Sequence, residues 1–287
     1  MAFSEKKLRK IRLLPNVITA FGLSCGLFVI FKMSMAEVGE ANFWLLSGSA
    51  GLLLLAAIAD LLDGAVARAI KAESYFGGIF DSLADATSFG VAPAVFMLKA
   101  LSAPSGSALS FWATLSAMVF SLCGILRLVR FSVLTLSHAE TQETALLEKK
   151  HFTGLPIPAA AAAAVSLTLF LFSPDLAFLV SLSITGKTTV LACAFLLLGY
   201  CMVSRWKFPS LKSLEIKVSS FQTVFLTTLS AVLLFFGMVH YYTAVSLFLA
   251  WGYVCVAWTL AIIRLIAGKK SKTLEEFEPD PDELEEE

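Results

Sequence analysis

Four aspartates lie close together in an otherwise apolar part of the chain. Asp60 and Asp63 end one apolar run, and Asp81 and Asp85 begin the next, in the stretch DLLDGAVARAIKAESYFGGIFDSLAD. On helices, residues three or four positions apart share a face. If a loop returns the second helix antiparallel to the first, the two carboxylate pairs face each other.

Such a cluster of acids requires a compensating cation. Each charged residue costs about 2.5–3.5 kcal/mol near the centre of a membrane helix, and only Arg68 and Lys71 are close in sequence. Carboxylate oxygens suit Mg²⁺, Mn²⁺ or Ca²⁺, and without His or Cys nearby zinc is disfavoured. Gly64, Ala67 and Gly77 leave space beside the acids, and the Arg68 guanidinium can hold phosphate. The pattern therefore predicts a divalent-metal site that binds a diphosphate.

The composition indicates which class of protein carries this cluster. The chain has 287 residues, of which 57% are hydrophobic and only 15% are charged, whereas about a quarter of the residues in a soluble domain are charged. Apolar runs of about 18 residues or more are long enough to cross a bilayer core of about 30 Å. We predict an all-α, polytopic helical membrane protein. The net charge is zero, which gives no electrostatic basis for nucleic-acid binding.

The predicted organisation has five parts. Residues 1–14 form an amphipathic interfacial segment, residues 15–204 form a six-helix catalytic transmembrane core, and residues 205–218 form a cytoplasmic loop. Residues 219–267 add two transmembrane helices, and the acidic tail 268–287 is expected to be disordered. The eight predicted spans are about 15–35, 42–70, 77–101, 108–136, 155–173, 186–204, 219–240 and 243–267.

Lysine and arginine are concentrated in the loops on one side of these spans. The positive-inside rule then places both termini and the four aspartates on the cytoplasmic side of the cell (inner) membrane. The acidic cluster would therefore lie at the inner surface of the bilayer.

The pattern Asp60-x2-Asp63-Gly64-x2-Ala67-Arg68-x8-Gly77-x3-Asp81-x3-Asp85 resembles the complete signature of the CDP-alcohol phosphotransferases. The resemblance implies a six-helix core in which Asp60, Asp63 and Asp81 hold two divalent ions, Mg²⁺ or Mn²⁺, on the CDP diphosphate. Asp85 is then the general base and a further metal contact. The implied CDP-binding residues are Gly64, Ala67, Arg68 and Gly77, with Asn16 and Thr19 of the segment PNVIT as additional candidates. A homodimer is also implied.

Two later segments bear on the acceptor. ILRLVRFSV (125–133) and KKHFTGLPIPAAAAAA (149–164) resemble segments of the bacterial and archaeal phosphatidylserine synthases, although Ser132 stands where that pattern often has Asn. The resemblance implies CDP-diacylglycerol and L-serine as substrates, with Arg127 and Arg130 holding the serine carboxylate. Because a phosphate-bearing acceptor also attracts arginines, charge alone does not decide between acceptors.

Three other kinds of protein are alternatives to this interpretation. A phosphatidylglycerophosphate or phosphatidylinositol-phosphate synthase would use the same aspartate signature with another acceptor. A membrane prenyltransferase would need a second aspartate motif on a later helix, and the later spans carry none. A transporter would place acids near mid-membrane in several helices, whereas here they cluster at one interface between two helices.

Overall fold

The computed structural model describes residues 13–36, 42–70, 74–103, 106–138, 152–174, 182–204, 207–208 and 241–267. Within these ranges the chain is almost entirely helical. The helices are α1 (Leu14–Met35), α2 (Phe43–Ala69), α3 (Tyr75–Leu101), α4 (Ala108–His138), α5 (Ile157–Phe172), α6 (Ile184–Val203) and α7 (Tyr242–Ala267).

Short polar or proline signals begin several of these helices. Pro15 occupies the first turn of α1, where its missing N–H costs nothing. The side chains of Asn42, Ser74 and Ser183 each accept a hydrogen bond from a backbone N–H in the first turn of α2, α3 and α6, respectively. Local interactions therefore stabilise these helix starts.

Six of the described helices are long and apolar enough to cross a membrane, and α5 is a shorter apolar helix. These helices indicate an integral membrane protein and agree in position with seven of the eight predicted spans. The predicted span 219–240 lies outside the described residues. The acidic tail and nearly all of the interfacial segment and of the loop 205–218 also lie outside them.

Tight helix packing forms the centre of the bundle. Rings of Phe120 on α4 and Phe195 on α6 lie 4.9 Å apart between centroids, and both side chains are fully buried. Four alanines at the start of α5, Ala160, Ala161, Ala163 and Ala164, are buried, and their small side chains allow close helix contact. The Trp251 indole N–H donates to the Ala163 carbonyl oxygen at 3.0 Å and so attaches α7 to α5.

A two-residue strand pairing was not predicted from the sequence. Phe152–Thr153 (β1) pairs antiparallel with Lys207–Phe208 (β2), which lies inside the segment predicted as a plain loop. Gly154 follows with φ of +80°, and a Cβ there would lie 2.5 Å from the Met202 carbonyl oxygen. The glycine is required because the chain turns in a left-handed conformation against the end of α6.

Helix α3 is interrupted by π-helical geometry. Tyr75–Asp85 and Ala92–Leu101 are α-helical, and Ala86–Val91 between them form a π-helix. The wider turn begins directly after Asp85, at the point where α3 packs on α1. Such bulges are found most often at functional sites.

Candidate metal and nucleotide site

The acids of α2 and α3 converge as the sequence predicted. One carboxylate oxygen from each of Asp60, Asp63 and Asp81 lies within 4.8 Å of the other two. Asp85 is not one of these three, but it lines the same pocket, together with Thr19 of α1. Asp63 is buried, whereas Asp60, Asp81 and Asp85 are half-buried and remain accessible from the pocket.

Helix α1 holds the buried acid in place. The Thr19 hydroxyl lies 2.5 Å from Asp63 Oδ2 and donates to it, and it also lies 3.0 Å from the Pro15 carbonyl oxygen. This hydrogen bond fixes one oxygen of Asp63 and leaves the carboxylate oriented toward Asp60 and Asp81. Thr19 was predicted as a nucleotide-binding residue; its contact in the structure is with a candidate metal ligand.

The three carboxylates fit a divalent ion. Ca²⁺ binds oxygen at 2.3–2.6 Å and Mg²⁺ at 2.0–2.1 Å, so two ligands on opposite sides of one ion are about 4 to 5 Å apart. The separations among Asp60, Asp63 and Asp81 lie within that range. Three carboxylates at such short distances repel one another, and a divalent cation among them would offset that repulsion. The all-oxygen donor set matches hard metals.

The predicted glycines lie beside this cluster. The Gly77 N–H donates to the Ser74 hydroxyl, and a Cβ on Gly77 would lie 3.0 Å from that hydroxyl and 3.1 Å from the Asn16 side-chain oxygen. Asn16 and Gly77 are therefore neighbours across α1 and α3. A Cβ on Gly64 would lie 3.4 Å from the Arg68 guanidinium. Glycine at 64 and 77 keeps this end of the site open.

Two further CDP-binding candidates lie on the last turns of α2. Arg68 is exposed and Ala67 is half-buried, one turn beyond the acids of the same helix. A small side chain followed by an exposed guanidinium gives a phosphate-bearing ligand room and charge at the edge of the cluster.

The predicted acceptor residues lie on α4. Arg127 and Arg130 are both half-buried, and Arg127 lies within electrostatic range of Asp85, Arg130 and Tyr253 of α7. The Arg127 Nε is buried and has no hydrogen-bond partner among the described residues. A buried donor without a partner is costly. The Arg127 Nε is therefore available to donate a hydrogen bond to a bound ligand.

Ser132, the departure from the expected pattern, also contacts the site region. Its hydroxyl lies 3.3 Å from the hydroxyl of Ser82, which follows Asp81 on α3. The smaller residue therefore makes a hydrogen bond between α4 and α3.

The structure adds residues to the pocket that the sequence reasoning missed. Gly22, Leu23, Ala56, Ala84, Ser88 and Phe89 also line it. Ala56 could have been predicted to line the pocket, because its spacing from Asp60 and Asp63 places all three residues on one face of α2. Ser88 and Phe89 belong to the π-helical turn, which has no recognisable sequence signature.

Comparison with known proteins agrees with this geometry. Residues 12–263 match the CDP-alcohol phosphatidyltransferase family. A CDP-diacylglycerol–serine O-phosphatidyltransferase of Helicobacter pylori is 31% identical over 268 residues, covering 90% of this chain and 95% of the relative.

Two other organisms supply similar relatives of the same name. The protein of Bacillus subtilis is 31% identical over 199 residues, covering 69% of this chain and 91% of the relative. The protein of Methanocaldococcus jannaschii is 35% identical over 152 residues, covering 53% of this chain and 58% of the relative. The family match covers most of this chain, and the acids of the chain meet in one pocket. The chain therefore belongs to the CDP-alcohol phosphatidyltransferases.

Proposed function

We propose that this protein transfers the phosphatidyl group of CDP-diacylglycerol to the hydroxyl of L-serine and releases CMP. The observation that carries the proposal is the convergence of Asp60, Asp63 and Asp81 in a pocket that also contains Asp85. The serine acceptor is supported by the names of the similar relatives and by Arg127 beside Asp85.

The first part of the mechanism is the binding of the donor. Asp60, Asp63 and Asp81 would hold the divalent metal, which the resemblance implies is a pair of Mg²⁺ or Mn²⁺ ions. Thr19 fixes Asp63 by its hydrogen bond. The bound metal would neutralise the diphosphate and stabilise the charge that develops on the leaving CMP. Gly64, Ala67, Arg68, Gly77 and Asn16 border the nucleotide.

The second part is the transfer itself. The serine hydroxyl is a poor nucleophile, and Asp85 takes its proton as the new bond forms between the serine oxygen and the β-phosphorus. The bond between that phosphorus and the oxygen bridging to CMP breaks in the same displacement. CMP leaves with the electron pair, and no covalent enzyme intermediate is needed.

The third part is recognition of the acceptor. Arg127 places a guanidinium in electrostatic range of Asp85 and has an unpaired buried Nε. A carboxylate of serine bound there would satisfy the guanidinium and bring the serine hydroxyl toward Asp85. Arg130, three residues along α4, gives a second positive charge for the same carboxylate.

The membrane arrangement follows from the same proposal. Acyl chains enter from the bilayer, while serine and CMP exchange with the cytoplasm on the side predicted by the loop charges. A homodimer in the cell (inner) membrane remains part of the proposal.

The acceptor is tested directly by comparing products. Purified protein is incubated with CDP-diacylglycerol and, separately, with labelled serine, glycerol 3-phosphate or inositol phosphate. We expect labelled phosphatidylserine and equimolar CMP with serine alone. Product with either phosphate-bearing acceptor in place of serine would overturn the serine assignment and favour the corresponding rival synthase.

A further inference from the structure

A second cavity lies next to the aspartate pocket. Its volume is about 340 Å³, within the range of about 300–1,000 Å³ typical of small-ligand sites. It is enclosed by α2, α3, α5 and α7, and its lining is mostly apolar. Ser88 and Phe89 line both this cavity and the aspartate pocket, so the two are adjacent and share a wall.

The cavity extends away from the acids into the apolar part of the bundle. On α2 its lining begins at Ala57, one helical turn from Asp60, and ends at Ser47. Ten residues of helix correspond to about 15 Å, roughly half of the bilayer core thickness of about 30 Å. Leu54 of the lining is 52% exposed, so this side of the cavity lies at the surface of the described part of the bundle.

Helix α7 forms the far end. Tyr242, its first residue, donates its hydroxyl proton to the Ser47 hydroxyl at 2.8 Å, and both residues line the cavity. The Tyr242 ring also lies 6.2 Å from the Phe43 ring between centroids. We refer to the Tyr242–Ser47 contact as the end wall. It belongs to the part of the chain beyond the predicted six-helix core.

We propose that this cavity holds one acyl chain of the lipid donor and that the end wall limits the chain length the enzyme accepts. The proposal rests on the proposed donor, CDP-diacylglycerol. A diacyl nucleotide combines a diphosphate, which the metal held by the acids would bind, with hydrocarbon that the adjacent apolar cavity can take up. Helix α7 then acts as a chain-length specificity element of the bundle.

A large side chain substituted for Gly51 would fill the cavity. Gly51 lines the cavity, and a Cβ at this position would meet no atom within 4 Å. Gly48 is equally open on the same helix but does not line the cavity. Because glycine is a poor helix former, phenylalanine at either position favours the helix. Gly48→Phe is therefore a matched control for Gly51→Phe.

The filling experiment measures CMP release by full-length protein in nanodiscs with dioctanoyl or dipalmitoyl CDP-diacylglycerol and saturating serine. In Gly51→Phe we expect kcat/KM for the dipalmitoyl donor to fall at least about tenfold, because two or more methylenes lose burial. The dioctanoyl value should change less than about threefold, and Gly48→Phe should resemble the unmodified protein with both donors.

The end-wall experiment enlarges the cavity instead of filling it. Tyr242→Ala removes the end wall and should shift the preferred donor toward longer chains, measured as the ratio of kcat/KM for diarachidoyl and dipalmitoyl donors. The control is Tyr241→Ala, which changes an exposed neighbouring tyrosine outside the cavity. An increase of about fivefold in the ratio for Tyr242→Ala alone supports the proposal.

The possible outcomes separate this inference from the proposed function. If the unmodified protein releases no CMP from any CDP-diacylglycerol, the donor assignment fails and the inference fails with it. If the unmodified protein is active but Gly51→Phe affects both chain lengths equally, only the acyl-chain assignment is overturned. Equal ratios in Tyr242→Ala and Tyr241→Ala would show that the end wall does not limit the accepted chain length.

Discussion

At the scale of single residues, the four acids differ in their surroundings. Asp63 is buried and receives the Thr19 hydrogen bond, so its position is fixed before any ligand binds. Asp60 and Asp81 approach it from α2 and α3. Asp85 lies one helical turn farther along α3 and in range of Arg127. These surroundings suggest three acids for the metal and one for proton transfer.

Substitution of Asp85 by Asn should separate chemistry from binding. Asn preserves the shape but cannot accept the serine proton, so we expect kcat to fall by about 10²- to 10⁴-fold. Binding of CDP-diacylglycerol, measured by equilibrium titration with Mg²⁺ present, should remain within about threefold. Asp63→Asn serves as a comparison that should weaken donor binding. Near-normal turnover in Asp85→Asn would refute its role as the base.

Substitution of Arg127 by Ala should act on the acceptor. Hydrogen bonds to charged groups contribute about 1.5–3 kcal/mol, which corresponds to an increase of about 10- to 100-fold in KM for serine. The KM for CDP-diacylglycerol should change little. Arg127→Lys keeps the charge without the planar fork and should recover only part of the loss. An unchanged serine KM in both Arg127→Ala and Arg130→Ala would remove these residues from the acceptor site.

The convergence of the acids was predictable because it depends on local spacing. The positions of Asp60, Asp63 and Asp81 on helix faces follow from residue numbers alone, and the structure confirms that they meet. The partners of Thr19 and Ser132 were not predictable. Those contacts depend on how α1 packs against α2 and how α4 packs against α3, which one sequence does not specify.

At the scale of elements, the approach of α1 to α3 positions the site. A Cβ on Gly26 of α1 would lie 2.3 Å from the Ser88 hydroxyl oxygen and 2.8 Å from the Ser88 Cα. Ser88 belongs to the π-helical turn that follows Asp85 and lines the aspartate pocket. The glycine therefore allows the contact that holds this turn against α1.

Replacement of Gly26 by Ala should disturb both stability and activity. The added methyl group must displace Ser88 or move the helices apart, and overpacking of this kind costs about 1–3 kcal/mol. We expect a lower midpoint of thermal unfolding in detergent and a reduced kcat. Gly48→Ala, which adds the same group in open space on α2, should leave kcat unchanged and should not lower the midpoint. Equal behaviour of the two variants would show that the α1–α3 contact does not support the site.

The sequence predicted the elements better than their irregularities. Approximate helix bounds followed from the apolar runs and Pro15, whereas the caps at Asn42 and Ser74 became evident only in the structure. The π-helical turn at Ala86–Val91 was missed because extra residues in a helical turn leave the apolar pattern nearly unchanged. The β1–β2 pairing was missed because it joins short segments far apart in the chain.

At the scale of the whole molecule, the bundle combines a polar site with a lipid environment. Six long apolar helices indicate membrane insertion, and the acids lie together on two of them. Family membership accounts for that combination, because a phosphatidyltransferase acts on a lipid that carries a charged nucleotide. Helix α7 adds the Tyr242–Ser47 contact and the Trp251 attachment to this arrangement.

The central claim is that Asp60, Asp63 and Asp81 bind divalent metal for phosphatidyl transfer. The most direct measurement is CMP release from CDP-diacylglycerol and serine by purified protein, before and after exhaustive chelation. We expect chelation to abolish release and added Mg²⁺ or Mn²⁺ to restore it, with no restoration in a protein carrying Asp60→Asn. Unchanged release after complete removal of divalent metal would contradict the account.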